Sequence, residues 1–109
     1  MAQGVNRGDI WLYDFRAPDK RRPVVVLTRD DVIELIQTVM VAPITSTIRG
    51  APSEVLIGPE QGLKHPSAIN LDFVQTIDRA RLRRYVGHLS PAKMRDLCRA
   101  LAIAVGCEP

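Results

Sequence analysis

The chain has 109 residues, of which 46% are hydrophobic, 25% charged and 5% aromatic, and its formal net charge is +3. This length predicts a single domain over residues 1–109 with one modest core. So few aromatic residues argue against a base-stacking platform of the RNA-recognition-motif type, which needs several exposed rings. Twelve of the fifteen basic residues are Arg, whose guanidinium matches phosphate and carboxylate geometry better than the Lys ammonium does.

The sequence has no run of 18 apolar residues and no charged-then-apolar leader at its N-terminus. We therefore expect a cytoplasmic protein with no membrane segment. Cys98 and Cys107 are predicted to be unpaired, structural, small apolar residues. Because the two Cys and two His have no metal-ligand spacing, we expect neither a metal nor a cofactor.

The first half of the chain predicts three strands, at Ile10–Phe15, Arg22–Thr28 and Gln37–Thr45. Pro and Asp predict a turn at Ala17–Lys20, and two acidic residues at its start favour a helical turn over Asp30–Ile36. The density of valine and isoleucine predicts a third strand that is buried on both faces and therefore rigid.

The second half predicts short strands followed by one amphipathic helix. The strands are expected at Glu54–Ile57, Ser67–Leu71, Phe73–Ile77 and Arg83–Leu89. Gly58–Pro66 is predicted to be a turn-rich loop and the most mobile segment. Ser90 and Pro91 open the helix, and Gly106 ends it. This order predicts a mainly β (α+β) fold, a small SH3-like antiparallel barrel with a C-terminal helix.

Basic and hydroxyl side chains flank two of the predicted strands. Arg22 leads into the second strand, and Thr45, Ser46 and Thr47 follow the third. If the two strands are neighbours, guanidinium and hydroxyl groups meet at one edge of the sheet, where they can bind a phosphate. On position alone, the commoner explanations are a surface charge for Arg22 and a strand-end hydroxyl cap for the other three residues.

Asp72 lies between two apolar segments, where a carboxylate needs a partner, and Arg22 is the expected one. An ion pair with a purely structural role is the alternative. His65 and His88 are weaker candidates for acid–base work. The sequence has no nucleophile elbow for a Ser-His-Asp triad and no glycine-rich nucleotide loop.

Four motifs, in order from Arg7 to Val105, resemble the MazF/PemK (Kid) family of bacterial toxins, which is similar in fold to the gyrase poison CcdB. They are Arg7-Gly8-Asp9-Ile10-Trp11, Arg22-Pro23-Val24-Val25, Ala42-Pro43-Ile44-Thr45-Ser46, and Asp72 with Thr76-Ile77-Asp78-Arg79-Ala80-Arg81-Leu82. The resemblance implies a metal-independent endoribonuclease that cuts single-stranded RNA at short sequences. It also implies a homodimer that binds RNA along the subunit interface and is neutralised by a MazE-type antitoxin.

By this resemblance, Arg22 and Thr45 match the active-site Arg and Thr of the family, and Asp72 matches the acid proposed as general base in some members. The position of Asn70 holds a catalytic Arg in those members, and many relatives carry Gln where this chain has Phe73. The loop before Arg22 is shorter than usual and lacks an acid found in some relatives. We further expect RNA contacts from six residues near these three: Arg21, Ser46, Thr47, Arg49, Asn70 and Gln75.

Two other functions fit the same fold. One is a toxin that binds a protein, as CcdB poisons gyrase, although CcdB relies on a Trp-Gly-Ile ending and this chain ends Val105-Gly106-Cys107-Glu108-Pro109. The other is a catalytically silent SH3-like module that only binds RNA or a partner. Arg22→Ala and Thr45→Ala distinguish these functions from an RNase, because only an RNase should lose cleavage while it still folds.

Overall fold

A computed structural model describes residues 4–15 and 21–107. The predicted turn at residues 17–20 and the basic residue Arg16 lie outside the described residues. The strands are β1 (Asp9–Asp14), β2 (Arg21–Val26), β3 (Thr38–Thr45), β4 (Glu54–Ile57), β5 (Ser67–Asn70), β6 (Gln75–Asp78) and β7 (Leu82–His88). The helices are α1 (Asp30–Ile33) and α2 (Pro91–Ala104).

The strands form one antiparallel sheet in the order β4-β5-β3-β2-β1-β7. β6 pairs with the first half of β3, while β5 pairs with its last two residues. The predicted mainly β fold with a C-terminal helix is confirmed. The sheet is open and does not form a closed barrel, because among the described residues no ladder joins β4 to β7.

The predicted burial of the third strand on both faces holds for its second half, because Thr38 and Met40 are exposed whereas Val41, Ala42 and Ile44 are buried. Val24, Val25 and Val26 of β2 have no exposed surface. Val25 packs with Ile44 of β3 and Leu97 of α2 in the core between sheet and helix. Val24 and Val26 pack on the opposite face, in a second core that contains Trp11, Val41 and Ile77. The ends of β2 and β3 are therefore held in place by two layers of packing.

The predicted start and end of the C-terminal helix are confirmed. The Ser90 hydroxyl accepts a hydrogen bond from the Lys93 amide at 3.1 Å, Pro91 opens α2, and Gly106 follows the helix with φ of +76°. The carboxylate of Asp78 accepts a hydrogen bond from the Ala80 amide at 3.0 Å, which begins a 3-10 turn before β7. Of the helices within the described ranges, none has the length and apolar character needed to cross a bilayer.

Two segments differ from the predicted pattern. Leu71–Phe73 forms a 3-10 turn instead of the start of a strand, because the Asn70 side chain accepts a hydrogen bond from the Asp72 amide at 3.0 Å. The segment at 58–66 is not a free loop. It contains the 3-10 turn Pro59–Gln61, and Gln61 is buried and accepts a hydrogen bond from the Gly58 amide at 2.7 Å.

Glycine at position 87 explains why this segment can pack so closely on β7. A Cβ atom at Gly87 would collide with the carbonyl oxygen of Gln61. The prediction for the two cysteines is wrong in one respect, since both are free but both are exposed. Cys98 accepts a hydrogen bond from the guanidinium of Arg7 at 3.1 Å.

Candidate active site

Arg22 lies near the start of β2 and Thr45 at the end of β3, and these two strands are neighbours in the sheet. β2 and β3 pair through Val24 opposite Pro43. The ladder between the two strands ends there, and continuation of its register by two residues would set Arg22 opposite Thr45, on the sheet face of Val24 and Pro43. The two groups therefore lie on neighbouring strands, and their meeting at one sheet edge stays a prediction.

Thr45 lies on a cleft with a volume of about 290 Å³. The lining residues are Pro43, Thr45, Thr47, Arg49, Asn70 and Phe73. Four of them were predicted from the sequence: Thr45 as a site residue, and Thr47, Arg49 and Asn70 as RNA contacts. The Thr45 hydroxyl accepts a hydrogen bond from the Thr47 amide at 3.1 Å, which fixes the oxygen and leaves the hydroxyl hydrogen free to donate.

The loop after β3 is tied back to the start of β4. The Glu54 carboxylate accepts hydrogen bonds from the amides of Arg49 at 3.2 Å and Gly50 at 2.9 Å. These hydrogen bonds involve only the backbone of Arg49. The Arg49 guanidinium has no partner among the described side chains. Ser46 is exposed beside this loop and does not line the cleft.

Asp72 is not paired with Arg22, so that expectation is wrong. Its carboxylate accepts a hydrogen bond at 2.6 Å from the hydroxyl of Ser53, a buried residue in the turn before β4. The Ser53 carbonyl also accepts a hydrogen bond from the Leu71 amide at 3.1 Å. Two contacts with one residue therefore hold the 3-10 turn, and Asp72 contacts Ser53 instead of lining the cleft.

A carboxylate at the end of β1 organises the basic residues near Arg22. Asp14 accepts hydrogen bonds from Arg21 at 2.9 Å and from Arg83 at 2.6 Å, and its carbonyl accepts one from Arg81 at 2.5 Å. The hydrogen bond from Arg21, followed by that from Arg83, holds the pKa of Asp14 below its usual range. The guanidinium of Arg21, a predicted RNA contact, is thus bound to Asp14. Of the two neighbouring residues Arg21 and Arg22, only Arg22 is left to bind a ligand.

The remaining predicted residues have structural partners or lie outside the cleft. Gln75 pairs with Val41 across β6 and β3 and lines a second cleft of about 540 Å³ with Tyr13 and Phe15. His88 is half exposed and lies 2.8 Å from the carboxylate of Asp9, which is buried. Arg79 donates to the carbonyl of Ile33.

Sequence reasoning did not place Asp14, Ser53 or Phe73 at the site. Asp14 had a usable signal, since antiparallel pairing of the first two predicted strands sets position 14 opposite Arg21. Ser53 had none, because its partner is 19 residues away. Within the described residues, no three His, Cys, Asp or Glu side chains cluster as metal ligands.

Comparisons with known proteins agree with this geometry. The profile of the PemK-like, MazF-like toxins of type II toxin–antitoxin systems matches residues 6–105. The probable endoribonuclease MazF5 of Mycobacterium tuberculosis is 43% identical over 103 residues, which cover 94% of each chain. The endoribonuclease MazF3 of the same organism is 41% identical over 86 residues, covering 79% of this chain and 84% of that protein.

The fold agrees as well. The solved structure of the Mycobacterium tuberculosis toxin MazF-mt6 superposes with a TM-score of 0.86 at 36% identity, covering 93% of this chain and 99% of that one. The match over nearly the whole chain and the agreement in fold lead to the same conclusion: the chain belongs to the family of PemK-like, MazF-like toxins of type II toxin–antitoxin systems.

Proposed function

We propose that this toxin is an endoribonuclease that cleaves single-stranded RNA at a short sequence and so inhibits translation and growth. The observation that carries the proposal is the cleft at the end of β3, which Thr45 lines together with hydroxyl, amide and guanidinium groups, while Arg22 lies at the start of the neighbouring strand β2. The relatives named as endoribonucleases support the same activity.

The reaction uses a nucleophile that the substrate itself carries. The ribose 2′-oxygen attacks the neighbouring 3′-phosphorus, the bond from phosphorus to the 5′-oxygen breaks, and that oxygen takes a proton. The products are a 2′,3′-cyclic phosphate and a 5′-hydroxyl. Because the attack is intramolecular, positioning and stabilisation of the developing phosphorane charge supply much of the rate, and we propose that this reaction needs no metal.

In this mechanism Arg22 binds the non-bridging phosphate oxygens through two parallel N–H donors. Thr45 donates its free hydroxyl hydrogen to the phosphate or orients the 2′-hydroxyl. Asp72 is the proposed proton acceptor by its match to the family. Its Oδ2 atom accepts from Ser53, so Oδ1 is the oxygen left for that role. Ser46, Thr47, Arg49, Asn70, Gln75 and Arg21 are the proposed RNA contacts.

We also propose a homodimer. β4 is the terminal strand of the sheet, and its Leu56 side chain is 54% exposed. α2 packs against β4, and Ile103 in its last turn and Val105 directly after it are 45% and 63% exposed. Exposed apolar groups on adjoining elements are typical of a surface that a second copy covers. Light scattering should give twice the chain mass of 12.1 kDa, and a monomer at assay concentration would contradict the proposal.

For partners, the family assignment supports a cognate antitoxin of the MazE type that folds an acidic, apolar-studded tail onto the basic surface. The exposed Arg84 and Arg22 are two of the guanidinium groups available to such a tail. We place the protein in the cytoplasm, where its RNA substrate lies, as a single domain over residues 1–109.

One substrate tests the proposed mechanism directly. An RNA with a single 2′-deoxy group 5′ of the cleaved bond lacks the nucleophile and should resist cleavage at that bond, while other sites in the same RNA are cut at the normal rate. Cleavage at the deoxy position would mean that water attacks the phosphorus and that the proposed reaction is wrong.

A further inference from the structure

Phe73 is a large apolar side chain with no place in the core. Its ring is 58% exposed, although its neighbour Leu71 is 2% exposed and Val74 packs on the core between sheet and helix. The ring instead forms a wall of the cleft that contains Thr45. An exposed aromatic residue beside catalytic candidates indicates a ligand contact more strongly than a scattered surface residue does.

The backbone beneath this ring is fixed. The 3-10 turn that carries Phe73 is held by the Asn70 side chain at 3.0 Å and by the Ser53 hydroxyl on Asp72 at 2.6 Å. It is also held by the hydrogen bond from the Leu71 amide to the Ser53 carbonyl at 3.1 Å. The ring is therefore presented on a rigid support, so little conformational entropy is lost when a ligand binds.

The polar groups of the same cleft supply hydrogen-bond donors. Because the Asn70 oxygen accepts from an amide, its NH₂ group is free to donate. Arg49 contributes a guanidinium on the cleft wall. A volume of about 290 Å³ is at the small end for ligand sites and suits a single planar ring better than two. An aromatic face, an amide donor and a cation together match the base and phosphate of one nucleotide.

We propose that Phe73 stacks on the base of a nucleotide adjacent to the cleaved bond, that the Asn70 NH₂ group donates to an edge of that base, and that this cleft is a determinant of cleavage-site choice. This inference rests on the proposed RNase activity. Stacking on Phe73 contributes most of the affinity and is tolerant of base identity, while Asn70 discriminates between bases.

The test is a cycle between protein and substrate variants. The cleavage site is first mapped on a long RNA. Short oligonucleotides then carry that site, either intact or with one abasic nucleotide at each flanking position in turn. Phe73→Ala and Phe73→Leu are compared with Phe73→Tyr, which keeps the ring. Leu35→Ala, a change at a 78% exposed residue after α1, is the matched surface control. Thermal unfolding shows that each variant folds.

On the intact substrate, Phe73→Ala and Phe73→Leu should each lower kcat/KM by about 5- to 150-fold, the range that base stacking supports. Phe73→Tyr and Leu35→Ala should stay near wild type. One abasic position should weaken cleavage by the wild type and have little further effect on Phe73→Ala. If every abasic position lowers kcat/KM by the same factor for the wild type and for Phe73→Ala, Phe73 does not contact a base. The same conclusion follows if Phe73→Ala cleaves the intact substrate like the wild type.

Other outcomes separate this inference from the function on which it rests. A folded wild-type protein that cuts no RNA overturns the proposed function, and the stacking inference falls with it. A wild type that cuts RNA while Phe73→Ala changes only antitoxin affinity overturns the stacking inference alone and assigns the ring to the protein partner.

Discussion

Replacement of Arg22 by Ala should abolish most of the activity and leave the fold intact. The side chain is exposed and has no hydrogen bond or ion pair among the described residues, so the loss of folding stability should stay within about 0.5 kcal/mol. The guanidinium is the group proposed to face the phosphorane oxygens. Removal of one such donor typically lowers kcat by about 10²- to 10³-fold, a barrier increase of about 2.7–4 kcal/mol. Arg22→Lys keeps the charge but loses the two parallel N–H donors, so its kcat should lie between those of the wild type and Arg22→Ala.

The assay is single-turnover cleavage of a short RNA that contains the mapped site, with thermal unfolding measured on the same preparations. Arg95→Ala is the matched control, because Arg95 is also an exposed Arg without a partner among the described residues, but on α2. The reasoning is refuted if Arg22→Ala and Arg95→Ala cleave at indistinguishable rates. It is also refuted if Arg22→Ala loses activity only because it unfolds.

Three further predictions follow from the same structure. Thr45→Ser should keep most of the cleavage rate. Thr45→Val, which lacks the hydroxyl, should lose at least about 10-fold in kcat with an unchanged unfolding midpoint. Equal cleavage rates for the two variants would exclude the hydroxyl from the reaction. Asp14→Asn should lower the unfolding midpoint at neutral pH. Because the pKa of Asp14 is lowered in the folded protein, this deficit should shrink as the pH falls below the ordinary value of 3.8 and vanish only below the folded-state pKa. A deficit that persists below that pH would contradict the ion-pair explanation. Gly87→Ala should lower the free energy of unfolding in urea by about 1–3 kcal/mol, because its Cβ would collide with the Gln61 carbonyl. The control Gly4→Ala, whose Cβ would meet no atom within 4 Å, should leave that free energy unchanged.

Local patterns in the sequence were enough to predict most of the elements. The bounds of β4 are those predicted, and the caps at Ser90 and Asp78 form as the residue types require. Burial of the second half of β3 on both faces followed from its apolar content. These features depend on residues that are close in the chain, which is why sequence reasoning reaches them.

The missed features depend on contacts between distant residues. The Ser53–Asp72 hydrogen bond links positions 19 apart, and the Asp14–Arg83 pair links positions 69 apart. The first hydrogen bond pairs Asp72 with Ser53 instead of the expected partner Arg22. The second binds the Arg83 guanidinium to Asp14. The open sheet also arises from long-range pairing, since β5 and β6 share one side of β3. No local pattern encodes such choices.

The most direct test of the central claim is the chemistry of the RNA ends. The purified toxin is incubated with a long RNA in EDTA, and the products are mapped and their termini identified. The account predicts cuts at one short sequence, with a 2′,3′-cyclic phosphate on the upstream fragment and a 5′-hydroxyl on the downstream fragment. Products with a 5′-phosphate, or no cleavage by the folded wild-type protein, would contradict the assignment of Arg22 and Thr45 to a metal-independent RNase site.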